Sequence, residues 1–185
     1  ISCVTEKNNF YLALKEIAYY TMARLTAMLS QAMNLIVREN DKCYILQQTR
    51  TKKIVDYVPP KGSMLPIYAS AGGKILLAGV SDFIRGEILN KIELKPLTKH
   101  TITKRIDLLD ELEKIRQAGY AVDAQESQES GGCIAVPVCG RNGETIAALS
   151  FSGFIGNMSD SDIHHYHQIL EKASAEITKN LERYQ

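Results

Sequence analysis

The stretch Ile67–Val80 reads IYASAGGKILLAGV. Ser70 is followed by three small residues, Ala71, Gly72 and Gly73, where an apolar helical pattern begins. A helix start exposes unpaired N–H groups and the positive end of the helix dipole, so a bare backbone there suits a negatively charged ligand. Two later segments carry polar groups that such a ligand could also meet. In CIAVPV, side-chain alternation sends Cys133, Ala135 and Pro137 one way and Ile134, Val136 and Val138 the other. In ETIAALSFS, Ile146, Ala148, Ser150 and Ser152 share a face opposite Ala147, Leu149 and Phe151. Paired through the Asn142-Gly143 turn, these strands make a ribbon with one strongly apolar face. The other face is small and polar near one end, at Cys133, Ser150 and Ser152. Two hydroxyls and a thiol beside small residues favour a cavity, because buried polar groups want partners. Asp123, ten residues before Cys133, places a carboxylate at its rim. Met64 and Leu65 offer an apolar wall. Together with the N–H groups at Ala71 and Gly72, this set could hold a small carboxylate through uncharged donors.

Each of these residues has a second use. Ala71-Gly72-Gly73 also permits close helix–sheet packing, and Asp123 at a strand end can cap a turn. Cys133 suits a small buried hydrophobe. As a nucleophile it would need a base, and the histidines, His100 and the cluster His164, His165 and His167, are not tied to it by sequence. His164 and His167 share a helical face but bring no placed Cys or carboxylate, so a solvated face is expected there and no metal. The four cysteines, Cys3, Cys43, Cys133 and Cys139, form no C-x-x-C pair or zinc spacing, and all but Cys133 read as free thiols of a reducing cytoplasm.

The elements that must position these groups follow from periodicity. Residues 10–30 carry Leu14, Ile17, Met22, Leu25 and Leu29 at helical spacing. AMNLIVREN and DKCYILQQTR read as a hairpin about Asn40-Asp41, and KKIVDYV as a third strand. Pro59, Pro60, Gly62 and Pro66 then interrupt regular structure. Helices follow from the Ser70 cap, from Ser81 or Asp82, and through DLLDELEKIRQA, whose stripe is Leu108, Leu109, Leu112 and Ile115, with Gly119 as its stop. YAVDAQES, GCIAVPV and ETIAALSFSG are strands, and an amphipathic helix closes the chain. Strands arriving as hairpins between helices give an α+β fold with an antiparallel sheet, not a doubly wound parallel one.

The 185 residues suffice for one core, and 45% apolar with 23% charged residues is ordinary globular usage. A net charge of +1 leaves no electrostatic footprint for nucleic acid. No apolar run has the length of a membrane span, and no secretion signal is visible at the N-terminus.

The segment PIYASAGGKILLA resembles the P-[LM]-[HY]-[AS]-[ST]-[AG]-x-G-K-x-x-L-A motif of the IclR family of bacterial transcription regulators. Residues 109–153 resemble the family's long signature, with G-Y-[AS]-x-D, C-I-A-x-P-V and A-[AI]-[LI]-S-[IV]-S elements in the same order and spacing. The resemblance implies a C-terminal effector-binding domain with a GAF/PAS-like central antiparallel sheet flanked by helices. It further implies a small organic acid effector bound by Ala71, Gly72, Asp123, Cys133, Ser150 and Ser152, with Leu65 in an apolar wall. Two positions depart from the pattern: Gly72 stands where the family often has Leu, and Gln125 precedes Glu126 where an acidic pair is usual. The family's winged helix-turn-helix has no room before Phe10. Residues 1–12 are therefore expected to be a remnant of the interdomain linker helix and 13–185 the effector domain. DNA would be contacted only through the missing domain. The expected protein is cytoplasmic, self-associates as a dimer or tetramer, and needs no cofactor. Two other functions fit the residues alone: a Cys133-dependent hydrolase with Asp123 as orienting group, and a ligand-free oligomerisation module.

Overall fold

The computed structural model describes residues 2–51, 58–155 and 158–184, and the side chains within 7–51, 58–152 and 158–183. In chain order the elements are α1 (Ser2–Leu29), β1 (Ala32–Glu39), β2 (Lys42–Thr49), β3 (Met64–Leu65), α2 (Ala71–Ala78), α3 (Asp82–Lys91), α4 (Arg105–Ala118), β4 (Ala121–Ala124), β5 (Gly131–Cys139), β6 (Thr145–Ile155) and α5 (Asp160–Tyr184). The strands form one sheet in the order β3-β2-β1-β6-β5-β4, every neighbour antiparallel. This is the expected α+β arrangement of an antiparallel sheet flanked by helices. The third expected strand, KKIVDYV, lies almost wholly outside the described residues. The segment expected to be irregular after it holds the two-residue β3, which pairs Leu65 with Cys43.

Two hydrophobic clusters lie on opposite faces of the sheet. Met33, Leu35, Val37, Ile134, Val136, Val138, Leu149 and Phe151 pack against Leu14, Met22 and Leu25 of α1 and Leu170, Ile177 and Leu181 of α5. The other face presents Ile36, Ile45, Ala121, Ala135 and Ala148 to Ile75, Leu76 and Leu77 of α2 and to Leu108, Leu112 and Ile115 of α4. Alternation along β5 and β6 thus sorts the side chains as the pattern predicts, with one correction. Ile146 was expected to share a face with Ala148. The register shifts between Val138 and Cys139, which pair with Ala147 and Thr145, so Ile146 is the extra residue of a bulge. Its side chain packs with the α1–α5 cluster instead.

Turn chemistry holds the connections. Gly143 adopts φ +80° in the β5–β6 turn, where the Gly143 N–H donates to Gly140 O (3.0 Å) and the Gly140 N–H to Glu144 O (2.8 Å). Gly119 adopts φ +77° and ends α4, its N–H donating to Ile115 O (2.9 Å). Among the described residues no helix is long and apolar enough to cross a membrane.

Helix α2 is buried along its whole length. It crosses β1, β4, β5 and β6. A Cβ at Gly73 would stand 2.4 Å from the Ile67 carbonyl oxygen and 2.6 Å from its Cα. These are backbone atoms of the turn that leads into α2, and they cannot rotate away. Gly73→Ala should therefore cost about 1–3 kcal/mol of stability, the usual cost of overpacking. Urea unfolding measures it, and an unchanged midpoint would mean that the Ile67 turn yields freely.

Candidate functional site

The helix mouth forms as the sequence suggests. Ser70 caps α2 with φ −77° and ψ 145°, its Oγ accepting from the Gly73 N–H (3.2 Å) and donating to Pro66 O (2.8 Å). The Lys74 N–H makes the first bond back, to Ser70 O (2.9 Å). Ala71 and Gly72 lie in the first turn of the helix, where N–H groups have no intrahelical partner. Both face a cavity of about 550 Å³ between α2 and the sheet. The small residues divide their work. Gly73 answers to backbone packing, whereas the atoms nearest a Cβ at Gly72 would belong to the Ile36 side chain, Cδ1 at 2.3 Å and Cγ1 at 3.3 Å.

The floor of the cavity is built by strand register. Asp123 of β4 pairs with Cys133 of β5, which pairs with Ser152 of β6. One step along, Ala135 pairs with Ser150, which pairs with Asn34 of β1, which pairs with Gln48 of β2. All seven residues expected at the site (Leu65, Ala71, Gly72, Asp123, Cys133, Ser150 and Ser152) line this one cavity. Ile36, Ile45 and Pro59 complete the apolar wall with Leu65. Met64, expected beside Leu65, does not join it: alternation along β3 turns it outward, and it is 57% exposed.

Sequence reasoning missed Asn34, whose Nδ2 donates to Ser152 Oγ (2.8 Å) and over a longer distance to Ser150 Oγ (3.4 Å). Its Oδ1 accepts from Gln48 Nε2 (2.7 Å). The available signal was one amide inside the apolar strand AMNLIV. Cys133 Sγ lies 2.8 Å from Ser152 Oγ. Burial, followed by the charge of Asp123, pushes the Cys133 thiol up to about 12. Asp123 is 4% exposed, and burial raises its carboxyl above the usual carboxylate range. Opposing that rise, Oδ1 accepts from the N–H groups of Glu126 (2.7 Å) and Ser127 (3.2 Å), and Oδ2 accepts from Ser127 Oγ. Asp123 therefore both lines the cavity and caps the turn behind it.

Residues 127–132 form the rim. Among the described lining residues the only charged side chains are Asp123 and Glu129, and none is Lys, Arg or His. A ligand anion would meet neutral donors only. The histidines lie elsewhere, His100 in the turn before α4 and the other three on α5, where His164 Nε2 is 3.0 Å from Gln168 Nε2 and the tilted His167 and Tyr120 rings have centres 4.6 Å apart. Among the described residues, no group of three or more His, Cys, Asp or Glu side chains is placed to hold a metal ion.

A cavity roofed by a helix mouth and floored by an antiparallel sheet defines a ligand-binding domain, and comparison with known proteins gives the family. Residues 11–179 match the family described as Bacterial transcriptional regulator IclR C-terminal, and the chain belongs to it. The HTH-type transcriptional regulator KdgR of Dickeya chrysanthemi is 32% identical over 160 residues, covering 86% of this chain and 52% of KdgR. The chain spans about half the length of the curated relatives it matches. The crystal structure of the Thermotoga maritima IclR superposes with a TM-score of 0.85 at 30% identity, covering 91% of this chain and 68% of that one. An IclR homologue from Microbacterium hydrocarbonoxydans, complexed with 4-hydroxybenzoate, gives 0.83 at 26% identity, covering 94% and 70%.

The state of the Cys133 thiol is directly measurable. Carbamidomethylation by iodoacetamide at pH 8, followed by peptide mass spectrometry, should run more than about 100-fold slower at Cys133 than at an ordinary free thiol, because only the thiolate reacts. Labelling at the ordinary rate would show an accessible, ionisable cysteine.

Proposed function

We propose that this domain senses a small organic acid and, within a longer regulator, transmits its binding to a DNA-binding segment. The observation that carries this reading is the meeting of the Ala71 and Gly72 N–H groups with the Asn34, Ser150 and Ser152 polar floor in one cavity. The ligand carboxylate sits at the mouth of α2, where helix dipole and free N–H groups favour it without a counter-cation. Its apolar body lies against Ile36, Ile45 and Leu65, and a hydroxyl or other donor at its far end meets Asp123. A cavity of about 550 Å³ suits an acid with a ring or short chain better than one of two carbons. That the Microbacterium homologue holds 4-hydroxybenzoate supports the same class.

The same geometry supports binding without catalysis. Burial pushes the Cys133 thiol up to about 12, which disfavours the thiolate, and no imidazole stands among the described lining residues to serve Cys133 as a base. Its place is that of a small polar wall. Residues 1–12 belong to the connection towards the DNA-binding part, and 13–185 to the sensing domain, which acts in the cytoplasm as a dimer or tetramer. The ligand's unequal affinity for two arrangements of that assembly moves the DNA-binding segment.

A thermal-shift panel of pyruvate, other 2-oxo acids, sugar acids and hydroxybenzoates tests the reading, because a ligand of the folded state raises its melting temperature. At least one acid should shift it. Ser150→Ala and Asp123→Ala should each weaken that acid by about 1–3 kcal/mol, the cost of one lost buried hydrogen bond. Unchanged affinity in both variants would remove these residues from the site, and no shift with any acid would overturn the reading.

A further inference from the structure

Behind the cavity lies a charged cluster that is not part of its lining. Lys74 of α2 is fully buried, and its Nζ stands 2.6 Å from Glu126 Oε1 and 3.4 Å from Glu111 Oε1 of α4. Glu126 is 7% exposed, and its Oε2 is buried without a hydrogen-bond partner among the described residues. The same residue reaches the cavity through its backbone, because the Glu126 N–H donates to Asp123 Oδ1 (2.7 Å). On its other side the Glu126 carbonyl accepts from Thr101 Oγ1 (2.6 Å), and the Gln125 carbonyl from Thr98 Oγ1 (2.6 Å).

The loop beyond begins and ends in left-handed backbone, at Gln125 and Ser130, each with φ +63°. That region is disfavoured for residues with side chains, so the loop keeps this shape only while its surroundings hold it. Lys74 sits one helical turn beyond Ala71. It therefore ties the wall that offers N–H donors to the wall that offers Asp123. A buried ion pair adds little net stability, since desolvation of both charges offsets their attraction. Its effect is geometric.

We propose that Lys74 is a positioning residue for the ligand cavity, acting through Glu126 to fix Asp123 and the rim residues 125–131 against the mouth of α2. The inference rests on the cavity being the ligand site, but its first readout does not require a ligand.

The test uses the whole 185-residue chain. Lys74→Met alone leaves the Glu126 carboxylate buried and unpaired, which can unfold the domain. The main variant is therefore Lys74→Met with Glu126→Leu, which removes both charges and leaves every backbone N–H in place. Hydrogen–deuterium exchange reads the loop directly. Corrected for intrinsic exchange, the amides of residues 126 and 127 should lose at least about tenfold of their protection, and 4-hydroxybenzoate measured by calorimetry should bind about tenfold more weakly, the size of one lost buried hydrogen bond. Amides of β1, β5 and β6 should keep the wild-type rate. Glu126→Gln, which keeps an acceptor for Lys74, should restore slow exchange at both loop amides. Wild-type protection at residues 126 and 127 in the double variant overturns the proposal, as does acceleration spread equally over the whole sheet. If the wild-type chain binds no acid, the sensing reading fails, and the exchange result still decides the positioning role.

Discussion

How closely α2 lies against the sheet governs the rest of the structure. Ala121, Ala135 and Ala148 stand beneath it, and Gly73 lets the preceding turn press against its backbone. Larger residues at these positions would lift the helix and dissolve the cavity into solvent. At the other end of the same sheet face the alanines give way to Asn34, Cys133, Ser150 and Ser152. There the helix begins, with its first N–H groups unspent. The cavity is therefore not a packing defect. It is the gap between a helix start and a polar sheet floor, held open by close packing one turn away.

The electrostatics follow from that layering. The described lining includes no cation, so the attraction for an anion comes from dipoles and neutral hydrogen-bond donors. Donors of this kind are fixed by the backbone and by strand register, and need no reorganisation when a ligand arrives. The one buried ammonium nearby, Lys74, is directed to Glu126 and Glu111 behind the cavity. Burial raises both Asp123 and Glu126 above the ordinary carboxylate range, opposed by the Ser127 hydroxyl, the Ser127 and Glu126 N–H groups and the Lys74 charge for Asp123, and by Lys74 for Glu126.

Much of this was legible in the residues. Alternation alone put Cys133, Ser150 and Ser152 on one face, because a strand's period is fixed and the Asn142-Gly143 turn sets which strands pair. Asp123 and the helix mouth followed from their places at element ends. What escaped depended on register or on distant pairing. The bulge that turns Ile146 over is a one-residue offset with no marker in ETIAALSFS. Met64 turns outward because β3 is only two residues long and contributes one side chain to each face. Asn34 was visible as an amide in an apolar run, but its contact with Ser152 spans 118 positions. The pairing of Lys74 with Glu126, 52 positions apart, joins two motifs that periodicity treats separately.

The central claim is that an acid's carboxylate sits on the first N–H groups of α2. Titration of the 15N-labelled chain with the acid of largest thermal shift tests it most directly. The account predicts that the Ala71 and Gly72 amide protons move downfield together as hydrogen bonds to the anion form, with Cys133 and Ser150 perturbed in the same saturation curve. Saturating binding that leaves the Ala71 and Gly72 amides unmoved would contradict it.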